Sequence, residues 1–289
     1  MMKTKILMLC ILSVLLLTGC DFKSGNNDKS SIYTTIYPVH YIIDYLYGDN
    51  SDITSIYPDG ADIDTYELTK KQIEKYADSD LFVYVGLGRE KEIAKDFLNE
   101  NRKLLIIDAT YGLNYNEDLM ELWLAPNNFL MLAKNIKSSL NEVLDNSYHV
   151  ENVNDKYDKL YEKVSWVDAE LRNVARDAQE NNNNTLIVAS DVLKFLENYG
   201  FEVISLEELS ESGSDTQIND LKSKFKNSTY SKIIKLEGYE DSKLVQELTS
   251  KYKAKTVSIN DIMSNGDSAS DYITLQYENI SVIREYIND

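Results

Sequence analysis

Two segments of the chain, 34–48 (TTIYPVHYIIDYLYG) and 186–200 (LIVASDVLKFLENYG), follow one plan and decide the predicted fold. Each is a short strand followed by an amphipathic helix and a closing glycine. Strand-like runs recur around both segments, separated by helical patterns, at residues 32–36, 53–57, 81–85, 104–107, 186–188, 202–206, 233–236 and 256–259. This alternation predicts an α/β fold with two lobes, each built on a four-stranded parallel sheet flanked by helices.

The stretch between the two series is helical throughout. Its apolar residues recur at steps of three and four, which predicts two helices, the second about seven turns long. The apolar positions are Phe129, Leu132, Ala133, Ile136, Leu140, Val143 and Leu144, then Val153, Tyr157, Leu160, Val164, Val167, Leu171, Val174 and Ala178. A coiled-coil partner is one interpretation, but the valine-rich stripe favours packing along both lobes. We predict an N-terminal lobe at 31–126, connecting helices at 127–180 and a C-terminal lobe at 181–289.

The N-terminus, MMKTKILMLCILSVLLLTGC, has the features of a bacterial secretory signal. Its apolar run is shorter than the roughly 20 residues that span a bilayer, and its last four residues resemble a lipobox. We therefore predict a signal peptide at 1–19, a lipid on Cys20 and a polar tether at 20–30. Cleavage would remove Cys10, so no disulfide is expected, and the acyl chains would hold the protein at the extracytoplasmic face of the cell membrane.

Charge excludes one class of partner. The full chain carries a formal charge of −18, and losing Lys3 and Lys5 with the signal peptide would leave −20. Nucleic-acid binding needs basic patches that contact phosphates, so it is not expected. An acidic surface gains nothing from anionic lipid either. Membrane attachment is thus left to the acyl chains, which contribute about 0.8 kcal/mol per buried CH₂.

The sequence holds no nucleophile elbow, P-loop, dinucleotide fingerprint or cysteine cluster for zinc. Its two histidines, His40 and His149, are too few for a histidine triad or a three-histidine zinc site, and we interpret both as ordinary polar positions. The chain is therefore predicted not to be an enzyme. The remaining catalytic hypothesis, a hydrolase using Asp64 and Glu121 as paired carboxylates, has no substrate motif beside it.

Tyr37, Tyr41 and Tyr45 recur every fourth residue on the first predicted helix, away from its aliphatic stripe. Two interpretations stay open. Such a row is typical of a half-buried packing face. It would also suit an aromatic wall for an organic ligand such as a sugar or a peptide.

Local motifs add a family resemblance. They are TIYP at 35–38, GADIDTYELT at 60–69, DSDLFVY at 78–84 and ELWLAP at 121–126. Together with the lipobox, the two lobes and the long helix, they resemble the solute-binding lipoproteins of zinc and manganese ABC importers. The resemblance implies a receptor that binds a metal cation in an interlobe cleft and delivers it to an ABC permease in the membrane.

The resemblance also implies where the metal ligands stand. They fall on Asp64, on Glu121, on Ser190 or Asp191, and on Asn260 or Asp261. This set offers oxygen and no imidazole, which suits Mn²⁺, Mg²⁺ or Ca²⁺ better than Zn²⁺. Converging acids would repel one another without a cation, which favours a retained site. The alternative is a metal-free surface interaction protein or adhesin, or an organic-ligand receptor, on the same fold.

Overall fold

The structure is a computed structural model that describes residues 29–58, 60–63, 65–113, 120–264 and 270–288. The predicted signal peptide, the lipidation site at Cys20 and the predicted ligand Asp64 lie outside these residues. Within them, no helix combines the length and the apolar character that crossing a bilayer requires.

The first sheet contains β1 (Ser30–Thr34), β2 (Ser51–Ser55), β3 (Leu81–Tyr84) and β4 (Leu105–Asp108). All pairs are parallel, in the order β2-β1-β3-β4. The central strand β3 is buried along its whole length, as expected for a strand covered by helices on both faces.

The second sheet repeats this topology. It contains β5 (Thr185–Val188), β6 (Glu202–Ser205), β7 (Lys232–Leu236) and β8 (Lys255–Ile259), all parallel, in the order β6-β5-β7-β8. The predicted fold of two four-stranded parallel lobes is confirmed. The exact lobe boundaries stay predictions.

Three helices flank the first sheet: α1 (Tyr37–Tyr47), α2 (Lys70–Ala77) and α3 (Glu90–Glu100). Pro38 stands in the first turn of α1, where its missing N–H costs nothing. Thr69 and Gln72 form a reciprocal capping box at the start of α2. Ala94 and Phe97 of α3 are buried in the core.

In the described part of the chain between the two sheets lie three helices: α4 (Glu121–Leu124), α5 (Pro126–Val143) and α6 (Ser147–Glu180). With 34 residues, α6 is about 51 Å long at 1.5 Å per residue. It packs against α1 of the first lobe, α5, and the C-terminal helix α10 (Tyr272–Asn288). This confirms the interpretation that its valine-rich stripe packs along both lobes.

The second lobe is completed by α7 (Leu206–Ser212), α8 (Asp215–Lys226) and α9 (Lys243–Tyr252). Residues Asp191–Tyr199, which match the first helix in plan, form a helix as predicted, and its geometry is 3₁₀ rather than α. With a rise near 2.0 Å per residue, nine residues reach about 18 Å instead of about 14 Å. The segment still ends at the predicted glycine, since Gly200 adopts a left-handed φ of 99°.

The two lobes meet at Trp123, which is fully buried in α4. Its indole N–H donates to the backbone carbonyl of Asp261 at 2.8 Å. Its own carbonyl accepts from the hydroxyl of Tyr272 at 2.7 Å and from the side-chain amide of Gln276 at 3.0 Å. The Tyr272 ring stacks on Phe129 with centroids 3.8 Å apart. A single core cluster therefore runs from β1 through the central helices to α10.

Replacing Tyr272 with Phe tests this junction. The change removes the hydroxyl bonded to Trp123 and to Gln276 but keeps the ring on Phe129, so we expect the free energy of unfolding to fall by about 1–2 kcal/mol. Tyr277→Phe, on the exposed side of the same helix, is the matched control and should cost less than about 0.5 kcal/mol. Chemical denaturation measures both, and equal effects would contradict the role given to this junction.

Candidate functional site

A cleft of about 1200 Å³ opens between the carboxyl ends of the strands of both sheets. In the first lobe, Thr35 and Tyr37 follow β1, Tyr57 follows β2, and Leu87 and Gly88 follow β3. In the second lobe, the lining residues follow β5, β6, β7 and β8. This is the edge at which parallel α/β sheets bind ligands, because loops of several strands converge there.

The charge of the cleft has one sign. Six carboxylates line it, and no lysine or arginine is among its described lining residues. The carboxylates are Asp62, Asp191, Glu207, Glu211, Glu237 and Asp261. A cleft lined by one sign of charge focuses the field and concentrates counter-ions, so this one attracts cations.

The pKa of the Asp261 carboxyl is set by opposing effects within the cleft. Burial raises its pKa most, and the charge of Glu237 raises it further. The backbone N–H of Met263, which donates to Asp261 at 3.0 Å, and the hydroxyl of Tyr239 lower the pKa. A bound cation would favour the ionised form of this carboxyl in the same way as those donors do.

At the two positions where alternatives stood open, the structure places the aspartate of each pair in the cleft. Asp191 and Asp261 both line it. The Ser190 hydroxyl instead donates to Glu207 at 2.8 Å. The Asn260 side-chain oxygen accepts from the Ile262 amide at 2.7 Å.

Glu121 lies at the start of α4, outside the cleft lining, with one carboxylate oxygen 3.4 Å from the side-chain amide of Asn128. Among the described residues, no three His, Cys, Asp or Glu side chains come close enough to hold a metal ion together. The acids are therefore spread around the cleft rather than gathered at one point. Asp64 lies outside the described residues, so the ligand assignment as a whole stays a prediction.

His40 was interpreted as an ordinary polar position, yet it lines the cleft. It lies in α1, with its Nδ1 3.4 Å from the hydroxyl of Thr34, the last residue of β1. Burial lowers its pKa, against the opposing charge of Asp44, which favours a neutral imidazole with a lone pair available. Its place six residues after the end of β1, in the first turns of α1, is the signal that could have found it. His149, by contrast, packs edge-on against Tyr47 and Tyr148.

Met120, Tyr239 and Met263 also line the cleft, and none of them belongs to a motif named above. Each of the two interpretations of the tyrosine row holds for one of its members. Tyr41 is buried against Phe129 and Tyr272, while Tyr37 faces the cleft.

The sequence model of the ZnuA family, described as zinc-uptake complex component A, periplasmic, matches residues 32–286. This chain belongs to the ZnuA family. Members of the family are metal-binding solute-binding proteins of ABC importers and not enzymes. The predictions of family and of non-enzymatic function are thereby confirmed.

Individual relatives are distant. A putative metal-binding protein of Thermotoga maritima is 24% identical, over 97% of this chain and 98% of its own. The iron ABC transporter substrate-binding lipoprotein MtsA of Streptococcus pyogenes serotype M6 is 23% identical, over 78% of each chain. The Zn(II)-bound ZnuA-like domain of Streptococcus pneumoniae AdcA superposes with a TM-score of 0.71 at 21% identity, over 91% of this chain and all of that one.

In this ZnuA-family chain, a buried carboxyl holds one of the turns that line the cleft. Glu90 has no exposed surface, and one of its oxygens accepts from the amides of Val85, Gly86 and Leu87 at 3.0, 2.7 and 3.2 Å. The turn that it holds carries Leu87 and Gly88 into the cleft. Gly86 and Gly88 both have positive φ there, which a β-carbon would disfavour.

Burial raises the pKa of Glu90 to about 7, against the lowering effect of the hydrogen bonds from Gly86 and Val85. An acid whose pKa is higher in the folded state than in the unfolded state stabilises the fold only while it is protonated. The stability is present below the unfolded pKa and is lost as the pH rises through the folded one. Glu90 should therefore lower the stability of the protein between about pH 5 and pH 8.

Glu90→Gln removes this titration and keeps an acceptor for the turn. Between pH 5 and pH 8, we expect the free energy of unfolding of the wild type to fall by about 2–3 kcal/mol more than that of the variant. Glu92→Gln, exposed on the same helix, is the control and should follow the wild type. Denaturant unfolding across the pH range measures the difference, and parallel curves for Glu90→Gln and the wild type would refute it.

Proposed function

We propose that this protein is a lipid-anchored solute-binding protein that captures a divalent cation in its interlobe cleft and delivers it to an ABC permease. The observation that carries this proposal is the cleft lined by six carboxylates with no lysine or arginine among its described residues. Mutual repulsion of these acids is relieved by a cation, so the unliganded cleft favours cation binding.

The proposed ligands are Asp191 and Asp261 from the second lobe, with Asp64 and Glu121 from the first. Asp191 and Asp261 already line the cleft, whereas the Glu121 side chain must turn away from Asn128 to join them. Carboxylate oxygens suit Mn²⁺, Mg²⁺ or Ca²⁺, and we propose these ions ahead of Zn²⁺. The relatives named above include both a zinc-bound and an iron-transporting protein, so this choice is specific to the acids of this chain.

The proposed location is the extracytoplasmic face of the cell membrane, with acyl chains on Cys20 as the anchor. The support is the Leu-Thr-Gly-Cys ending of the apolar leader and the polar tether after it. One acyl chain alone binds a bilayer reversibly, so stable anchoring takes more than one.

Metabolic labelling with palmitate should mark the wild type and leave a Cys20→Ser variant unlabelled.

A second candidate function is a receptor for an organic ligand. The cleft volume of about 1200 Å³ exceeds what one ion and its first coordination shell need and is large enough for a small organic molecule, whose pockets are typically about 300–1000 Å³. Tyr37, Tyr57 and Tyr239 supply aromatic surface to it. Such a ligand would be cationic, because the acids of the cleft require it.

Removing two of the proposed ligands tests cation capture. In the wild type, an ion at 100 times its Kd should stabilise the fold by about 2.7 kcal/mol, seen as a rise in melting temperature. In Asp191→Asn with Asp261→Asn, we expect the Kd for Mn²⁺ to rise at least tenfold and the temperature rise to disappear. Thermal unfolding with Mn²⁺, Ca²⁺, Mg²⁺ and Zn²⁺, together with elemental analysis, gives both readings.

The matched control is Asp145→Asn with Glu180→Gln, which makes the same charge change at exposed positions away from the cleft. It should bind ions as the wild type does. If the wild type gains no stability from any of the four ions, capture of a free divalent cation is wrong. If the cleft variant and the control lose the same affinity, overall charge and not Asp191 or Asp261 is responsible.

A further inference from the structure

Outside the predicted signal peptide the chain has only three methionines, Met120, Met131 and Met263, and two of them meet in the cleft. Met120 comes from the first half of the chain, at the start of α4, and Met263 follows β8 of the second lobe. Their sulfur atoms lie 3.3 Å and 3.5 Å from one atom, the hydroxyl oxygen of Tyr239. Two thioethers thus converge on one point from opposite sides of the cleft.

We propose that Met120 and Met263 form a second cation site in the cleft, which takes a soft monovalent ion such as Cu(I). Thioethers are soft ligands that select Cu(I) over hard ions. They are neutral and do not titrate, so the site needs one negative group to balance one positive charge. Asp261 provides it, since its carboxylate lies beside the Tyr239 hydroxyl in the same cleft.

The backbone holds both methionines in place. The carbonyl of Met120 accepts from the amides of Trp123 and Leu124 at 3.2 Å and 3.1 Å. The carbonyl of Met263 accepts from the Tyr37 amide at 3.0 Å, across the two lobes. Trp123 then links the two segments directly, because its indole donates to the carbonyl of Asp261. The backbone of both residues is therefore positioned before any ion arrives, which reduces the cost of binding.

Ile262, between Asp261 and Met263, gives independent support for a built site. It is fully buried and adopts a left-handed φ of 59°, which is a strained conformation for a β-branched residue. Such strain persists where surrounding structure fixes it and clusters at ligand sites. Here it turns two successive functional groups, the Asp261 carboxylate and the Met263 thioether, into the cleft.

Tyr239 can make room for the ion. Its side chain is 41% exposed, and it follows Gly238, whose φ of 81° gives the loop after β7 freedom at that point. The methionine side chains have three rotatable bonds each and can close on an ion once the phenol withdraws. The residues then offer two sulfur atoms and one carboxylate, with His40 on the opposite wall.

The experiment uses the full chain with Cys10→Ser and Cys20→Ser as the background of every variant, and Ag(I) as a redox-stable probe beside Cu(I). We expect the wild type to bind one equivalent in competition with a chelator. Met120→Leu or Met263→Leu should weaken binding at least tenfold and the double variant at least a hundredfold. Leucine keeps the packing volume, so melting temperatures without ion should stay close to the wild type.

Met131→Leu, on an exposed position of α5, is the matched control and should bind Ag(I) as the wild type does. X-ray absorption should show sulfur next to the bound ion in the wild type and not in the double leucine variant. Unchanged Ag(I) affinity in the double variant, or no competitive binding by the wild type, overturns the proposal.

The same proteins separate this site from divalent-cation capture. Both leucine variants should bind Mn²⁺ normally, whereas Asp191→Asn should weaken Mn²⁺ and leave Ag(I) unchanged. Asp261→Asn should weaken both ions, because both sites use that carboxylate. Loss of Mn²⁺ binding in the leucine variants would show one shared site and overturn the claim of a second one.

Discussion

The buried indole of Trp123 is the contact on which the cleft depends. Its N–H is bonded to the Asp261 carbonyl, and its own carbonyl is bonded to Tyr272 and Gln276. An indole or a carbonyl left without these partners in the core would cost free energy, so the lobes stay joined at this point. With α6 packed along both lobes, the strand ends of the two sheets face each other across a defined gap. The cleft is a consequence of that junction.

The walls of the cleft differ in charge. Among the described residues, the second lobe supplies five carboxylates, whereas the first supplies Asp62 beside hydroxyl groups, tyrosines and the neutral His40. The acids that face the cleft follow five different strands, β2, β5, β6, β7 and β8, so they are distributed around it rather than gathered at one point. A cation that enters is attracted by the whole wall and then selected by the few groups that reach it. Carboxylates and thioethers at one cleft favour different ions, so position within the cleft decides the selection.

Much of the fold was predictable because it rests on local patterns. All eight strands lie within two residues of their predicted positions, and α6 follows the valine stripe that predicted it. The 3₁₀ segment Asp191–Tyr199 was not predictable, because α and 3₁₀ helices share nearly the same apolar spacing over nine residues. The candidate site was predicted only in part. Asp191 and Asp261 reach the cleft, but the Glu121 side chain points toward Asn128. The neighbouring residue, Met120, lines the cleft in its place.

The sequence alone determined the two-lobed α/β plan, the family, the acidic character of the chain and a short set of candidate ligands. These follow from periodicity, composition and motif spacing, which are properties of neighbouring residues. Only the tertiary structure decided which side chains share the cleft: His40, the paired thioethers and a described lining that contains no lysine or arginine. Met120 and Met263 are 143 positions apart in the chain, and no local pattern relates them. Their meeting depends on the junction at Trp123, where long-range hydrogen bonds bring the two segments together.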